Sequence, residues 1–385
     1  MLRADSHQLL CWVRQLTDGD VAAPPPPLSG EEFARAGLFT GLTALVAALA
    51  AEHALALPAP WQAFAIDQRE QVAQRAERFT SHLPRVLQLL AEASVAAIPV
   101  KGAVLARELW PHGGARPMAD IDIVVPPHQR AAAAAALTDA GFVPHGSAAW
   151  EDTFLLWGDG TVGRRDGESV DHNGKLEIHP GWVERFHGYE VDDDGLLVSV
   201  ATPGTLAGEP CRRLPMAVFA AQVIGHLAAC VVRCEVRGVN VIDAVLVLDA
   251  LDAAGFDALS DVVAQLDPRL TAPGLWLVHD HAPRLGLGAL VQRERARLPA
   301  PARRLLGQQS LADVLRGDDA RTSWQWRRAF ATNTAEQLAV ARQLVAGPTE
   351  RIGVQAATRL QAERIGRAAS RLGASSAQHI RREPR

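Results

Sequence analysis

Residues 116–125 read RPMADIDIVV. The run IDIVV has the length and the branched, apolar composition of a buried strand. Two aspartates interrupt it two positions apart. Side chains at i and i+2 of a strand project to the same face. Asp120 and Asp122 therefore point together, while Ile121 and Ile123 point to the other side. Unpaired buried carboxylates are costly, so a pair on one interior face demands cations. A hard divalent ion, Mg²⁺ or Mn²⁺, held by carboxylates and shared with substrate phosphates, meets that demand.

The residues just before the pair suit a phosphate. VAAIPV is a short strand candidate, and KGAVLARELW reads as a helix opened by Gly102. A strand, then Lys101-Gly102, then a helix start makes an anion site. Glycine lets backbone approach closely, and the first turn of a helix offers free N–H groups. Lys101 adds a point charge and Arg116 a planar fork for phosphate oxygens. Arginine dominates the 39 basic residues, and the two lysines are Lys101 and Lys175. The second opens KLEIHPGW. As a strand, this segment puts Lys175, Glu177 and His179 on one face. Glu177 then supplies a third carboxylate. Three acids can hold two metal ions that clamp the attacking and leaving oxygens of an in-line displacement at phosphorus.

Patterning along the chain places this segment between helical regions. Residues 1–93 read as helices, broken by AAPPPPLSG and restarted at Ser29, which has capping-box spacing to Glu32. AGLFTGLTALVAALAA reads as one buried, alanine-rich helix, too short for a membrane span. Residues 94–205 alternate strands and helices, with Gly141 stopping the helix HQRAAAAAALTDAG. Residues 206–350 are helical and strongly apolar at first. Residues 351–385 form a basic tail with eight arginines against two glutamates. His226, Cys230 and Cys234 fall one turn apart on a helical stripe. A buried face with free thiols is the plain interpretation; zinc is the alternative, without a visible fourth ligand. Net charge is −4 and the sequence pI about 6.4, so charge gives no pointer to nucleic acid. Four cysteines in 385 residues fit a reducing cytoplasm, and neither a leader nor a membrane partner is expected.

PVKGAVLARELWPHGGARPMADIDIVV, then LTDAGF, then KLEIHPGW, resembles the uncharacterised nucleotidyltransferase family of the polymerase-beta-like superfamily. The resemblance covers roughly residues 90–250. Its pattern of Lys-Gly, Arg, Asp-x-Asp and a later acid followed by His falls on Lys101, Gly102, Arg116, Asp120, Asp122, Glu177 and His179. A His and then an Asp in a later helical region match His226 and Asp243. Two positions depart from the superfamily: Ala103 stands where serine is common, and Glu177 where aspartate is usual. The resemblance implies a minimal polymerase-beta-like α/β domain with a mixed sheet, flanked by N- and C-terminal helical regions. It implies Mg²⁺- or Mn²⁺-dependent transfer of an NMP from an NTP, with ATP as donor, to a hydroxyl or phosphate of a small molecule or peptide. Asp120, Asp122 and Glu177 are the catalytic and metal-binding candidates; Lys101, Gly102, Arg116, Lys175 and His179 are the nucleotide-binding candidates. Two other readings compete. A nucleotide-binding pseudoenzyme would bind without releasing pyrophosphate, and a glycosyltransferase would prefer a nucleoside diphosphate sugar.

Overall fold

The computed structural model describes residues 2–112, 114–158, 169–186, 189–315 and 320–346. Four helices come first: α1 (Leu2–Thr17), α2 (Gly30–Thr40), α3 (Thr43–Glu52) and α4 (Ala59–Glu92). The capping box at the start of α2 forms as its spacing predicts. Ser29 Oγ accepts the Glu32 N–H at 3.3 Å, and Glu32 Oε2 accepts the Ser29 N–H at 2.8 Å. The expectation of a single helix through AGLFTGLTALVAALAA is corrected. Gly41 turns left-handed at φ 71° and its N–H closes α2 on Gly37 O. α3 then leaves at 108° to α2 and buries Thr43 through Ala50.

Next come β1 (Ile98–Val100), α5 (Gly102–Glu108), β2 (Asp120–Val124), α6 (Arg130–Asp139), β3 (Val143–Ala148), β4 (Glu151–Trp157) and β5 (Gly174–His179). The five strands form one mixed sheet in the order β1-β2-β5-β4-β3. Only β2 and β5 run parallel; the other neighbours are antiparallel. Ile121, Ile123, Leu176 and Ile178 are buried, and α4, α5 and α6 cover this side of the sheet. Burial of each such side chain stabilises by about 1.5–3 kcal/mol. The opposite face carries the polar residues of the same two strands.

A small hairpin follows, β6 (Val183–Arg185) with β7 (Glu190–Asp192), then α7 (Leu196–Val200) and a second hairpin, β8 (Thr202–Leu206) with β9 (Glu209–Arg213). The helices after it are α8 (Met216–Arg233), α9 (Gly238–Asp249), α10 (Ala253–Gln265), α11 (Ala272–His281), α12 (Gly288–Arg297), α13 (Ala300–Leu306), α14 (Leu311–Val314) and α15 (Ala320–Phe330). α8 is long and apolar enough to cross a membrane, yet 83% of it is buried. It packs on α9, α10, α11 and α15. These residues, 1–186 with 190–330, make one compact unit. Residues 187–189 and 331–385 make a second, smaller unit, in which α16 (Thr334–Ala346) is described. The basic tail, 351–385, lies outside the described residues.

One buried cation ties the helical start of the chain to the sheet. Arg75 of α4 donates to the carbonyls of Met118 (2.7 Å), Ser169 (3.2 Å), His172 (2.7 Å) and Asn173 (2.9 Å). Met118 leads into β2, and the other three lead into β5. One guanidinium thus fixes the entries of both strands that carry the acids.

Candidate active site

The floor of the site follows from strand register. Asp120 pairs with Lys175, Asp122 with Glu177 and Val124 with His179. Paired residues of neighbouring strands share a face, so Asp120, Asp122, Lys175, Glu177 and His179 all lie on the face opposite the isoleucines. Asp122 is 4% exposed. Its Oδ1 accepts from Lys101 Nζ and from His179 Nε2, each at 2.9 Å. His179 Nδ1 faces the Trp150 carbonyl oxygen at 3.3 Å, so the ring is held from both ends.

Charge is concentrated here. Burial, then the charge of Asp122, raises the carboxyl pKa of Asp120. Burial, then Asp120 and Asp122, pushes that of Glu177 up to about 8. Burial acts the same way on Asp122 but is outweighed by Lys101 and His179, which drive its pKa far down. For Lys101 burial disfavours the charge, and Asp122 and Glu184 more than restore it, leaving the pKa raised. The Lys101 backbone sits at φ 48°, a left-handed conformation that costs a non-glycine residue on the order of 1–3 kcal/mol.

One wall is built from Arg116. Its Nε and Nη2 donate to the two carboxylate oxygens of Asp243 at 2.9 and 2.7 Å, and Trp110 Nε1 donates to the same carboxylate at 2.7 Å. The guanidinium lies over the start of α5. A Cβ on Gly102 would come within 2.7 Å of Arg116 Nη1. Glycine here clears room for the arginine, and Gly102 itself lines the cleft. α5 is only seven residues long, so the positive charge at this end comes mainly from side chains. The facing wall comes from the end of α8 and the start of α9, with His226, Cys230, Arg233, Arg237 and Asn240. Asn240 Oδ1 accepts the Arg237 N–H at 3.1 Å and shapes that turn.

Floor and walls enclose a cleft of about 440 Å³, within the roughly 300–1,000 Å³ usual for small-ligand sites. Lys101, Gly102, Arg116, Asp120, Asp122 and Glu177 line it. His179 stands behind Asp122, and Lys175 shares the sheet face without lining the cleft. Among the described residues, the donors that gather within 4.8 Å of one another belong to Asp122, Glu177 and His179. His179 bridges the Trp150 carbonyl and the Asp122 carboxylate through its two ring nitrogens. The carboxylates are hard oxygen donors that repel one another, and a divalent cation suits them. Glu184, Arg233, Arg237 and Asn240 escaped the sequence reading. Glu184 follows KLEIHPGW by only a few residues, and Arg233 and Arg237 are four apart, but neither signal says which way a side chain points.

A family model for an uncharacterised nucleotidyltransferase matches residues 27–281. The match runs from α2 through α11 and takes in the floor and both walls. The chain belongs to the uncharacterised nucleotidyltransferase family. A search of curated proteins returns no match. Membership in a nucleotidyltransferase family implies an enzyme with a nucleoside triphosphate as substrate. The acid-floored cleft walled by basic side chains lies within the matched residues.

Proposed function

We propose that this chain transfers a nucleotidyl group, AMP from ATP, to a hydroxyl or phosphate of a small molecule or peptide, releasing pyrophosphate in the cytoplasm. The sheet is read as a polymerase-beta-like core, with residues 1–93 and 206–350 as its helical flanks. The observation that carries this reading is the in-register parallel pairing of β2 with β5. It stacks Asp122 beside Glu177, with Asp120 next to them, under four basic side chains.

Asp120, Asp122 and Glu177 would hold Mg²⁺ or Mn²⁺, which when bound neutralises phosphate oxygens and makes the α-phosphorus more electrophilic. The chain's own residues do the rest. Lys101, Arg116, Arg233 and Arg237 bind the triphosphate and stabilise charge gathering on the leaving pyrophosphate. Asp243 and Trp110 hold the Arg116 fork in one orientation. His179 and Lys101 fix the Asp122 carboxylate. Glu177, freed of its own proton once a cation offsets the charges of Asp120 and Asp122, takes the proton of the acceptor hydroxyl.

Thermal shift with ATP, GTP, CTP, UTP and UDP-glucose, with and without Mg²⁺, tests the reading, followed by pyrophosphate release in an acceptor screen. A Mg²⁺-dependent rise with a triphosphate, lost in Asp122→Asn, is the expected result. Preference for UDP-glucose, or triphosphate binding unchanged in that variant, would overturn it in favour of sugar transfer or of a pseudoenzyme.

A further inference from the structure

A second chain of side chains reaches the cleft, and nucleotidyl transfer makes no use of the thiol of Cys230 in it. Trp182 Nε1 donates to Glu184 Oε1 at 3.2 Å. Glu184 Oε1 lies 3.7 Å from His226 Nδ1. The other ring nitrogen, Nε2, lies 3.8 Å from Cys230 Sγ. Arg233 Nη2 donates to the same sulfur at 3.4 Å. Acid, imidazole and thiol thus stand in the order of an activated nucleophile: the carboxylate lies within ion-pair reach of the ring, and the ring's other nitrogen faces the thiol whose proton it takes. Trp182 fixes the acid by packing its indole edge against Gly225 of α8, where a Cβ would lie 2.1 Å from a ring carbon.

The electrostatics agree with the geometry. Burial disfavours the charged His226, but Cys230 and Glu184 outweigh it and raise its pKa to about 10. Burial likewise opposes the Cys230 thiolate, and His226 and Arg233 outweigh it, so the thiol pKa is lowered. Burial instead raises the pKa of Cys11, and that of Cys211 to about 11. A thiolate is the reactive form of cysteine. Cys230 is 5% exposed and lines the cleft, so only a small reagent can reach it.

We infer that Cys230 is a nucleophilic thiol that reacts with a small peroxide entering the cleft, and that its oxidation closes the cleft to nucleotide. The second half rests on the proposed nucleotide site; the first does not. The sulfur attacks one oxygen of hydrogen peroxide, an S–O bond forms and the O–O bond breaks. Sulfur loses two electrons and becomes a sulfenic acid; the departing hydroxide takes the His226 proton and leaves as water. The added oxygen is a stronger acceptor than sulfur and lies beside Arg233, in space the phosphates need.

The test uses the full chain. Iodoacetamide labelling is followed at each of the four cysteines by peptide mass spectrometry, then peroxide treatment with dimedone trapping. Cys230 is expected to label at least about tenfold faster than Cys11, Cys211 and Cys234, with His226→Asn or Glu184→Gln removing most of that advantage. Peroxide should put the dimedone adduct on Cys230 and abolish the Mg²⁺-ATP thermal shift. The Cys230→Ser protein should keep its own untreated shift. Labelling of Cys230 no faster than of the others overturns the inference, whatever ATP does. An adduct that leaves the ATP shift intact overturns the closure. No ATP shift in untreated protein overturns the nucleotide site, and with it the closure, while the labelling rates still decide the thiol.

Discussion

At the scale of single residues, the site works through shared partners. Asp122 Oδ1 is held at once by Lys101 and His179, so Asp122→Asn removes the counter-charge of Lys101 together with one carboxylate of the proposed metal site. We expect this variant to lose transfer by at least about 100-fold, measured as pyrophosphate release, because metal and phosphate binding fail together. Gly102→Ala is a finer probe. The new methyl meets Arg116 Nη1 at 2.7 Å and must push the guanidinium aside. Nucleotide affinity should fall about tenfold, roughly the 1.4 kcal/mol of one displaced charged contact, with a smaller change in urea midpoint. Asp243→Asn strikes the same arginine from behind. Breaking a buried bidentate pair should cost about 3 kcal/mol in urea unfolding. The sequence pointed to Arg116 as a phosphate fork. It could not show that Asp243, 127 residues away, already holds two of its donors.

At the scale of elements, the pairing of β2 with β5 is the deciding contact. The strand pattern placed Asp120 and Asp122 on one face, and Glu177 and His179 on another strand's single face. It could not set these faces side by side, because register is a tertiary choice. Arg75 helps make that choice by binding the carbonyls that lead into both strands. Arg75→Met should destabilise by about 3 kcal/mol, since several buried carbonyls lose their donor at once. At temperatures where the variant remains folded, its transfer rate should still fall, because the two strand entries are no longer tied. Unchanged transfer in folded Arg75→Met would show that the sheet holds its register without the clamp. The same limit explains the break at Gly41. An apolar run reads as one helix, and only the packing of α3 into the core decides where it bends.

At the scale of the whole molecule, the cleft joins a sheet face to the end of α8 and the start of α9, and its stability is tied to pH through Glu184. The carboxyl of this buried residue is held down to about 2, against 4.5 ordinarily; burial opposes this and His226, with Lys101, outweighs it. A depressed carboxyl stabilises the folded chain above its unfolded pKa and stops doing so as pH falls through its folded one. Wild type should therefore exceed Glu184→Gln in urea stability by on the order of 2 kcal/mol near neutrality. The gap should close as pH drops from 4.5 towards 2; a gap independent of pH would remove the ion pair from the account. The sequence by itself determined the local matters: the capped start of α2, the apolar strands, the lone Lys-Gly junction, and acids alternating with isoleucines. These depend on neighbours a few residues apart, through backbone period and side-chain chemistry. The tertiary structure alone decided that Arg116 leans on Asp243, that His179 backs Asp122, and that Glu184 meets the His226–Cys230 stripe of α8. Those contacts join residues far apart in the chain, and only the pairing of β2 with β5 and the packing of α8 and α9 over the sheet bring their charges within reach.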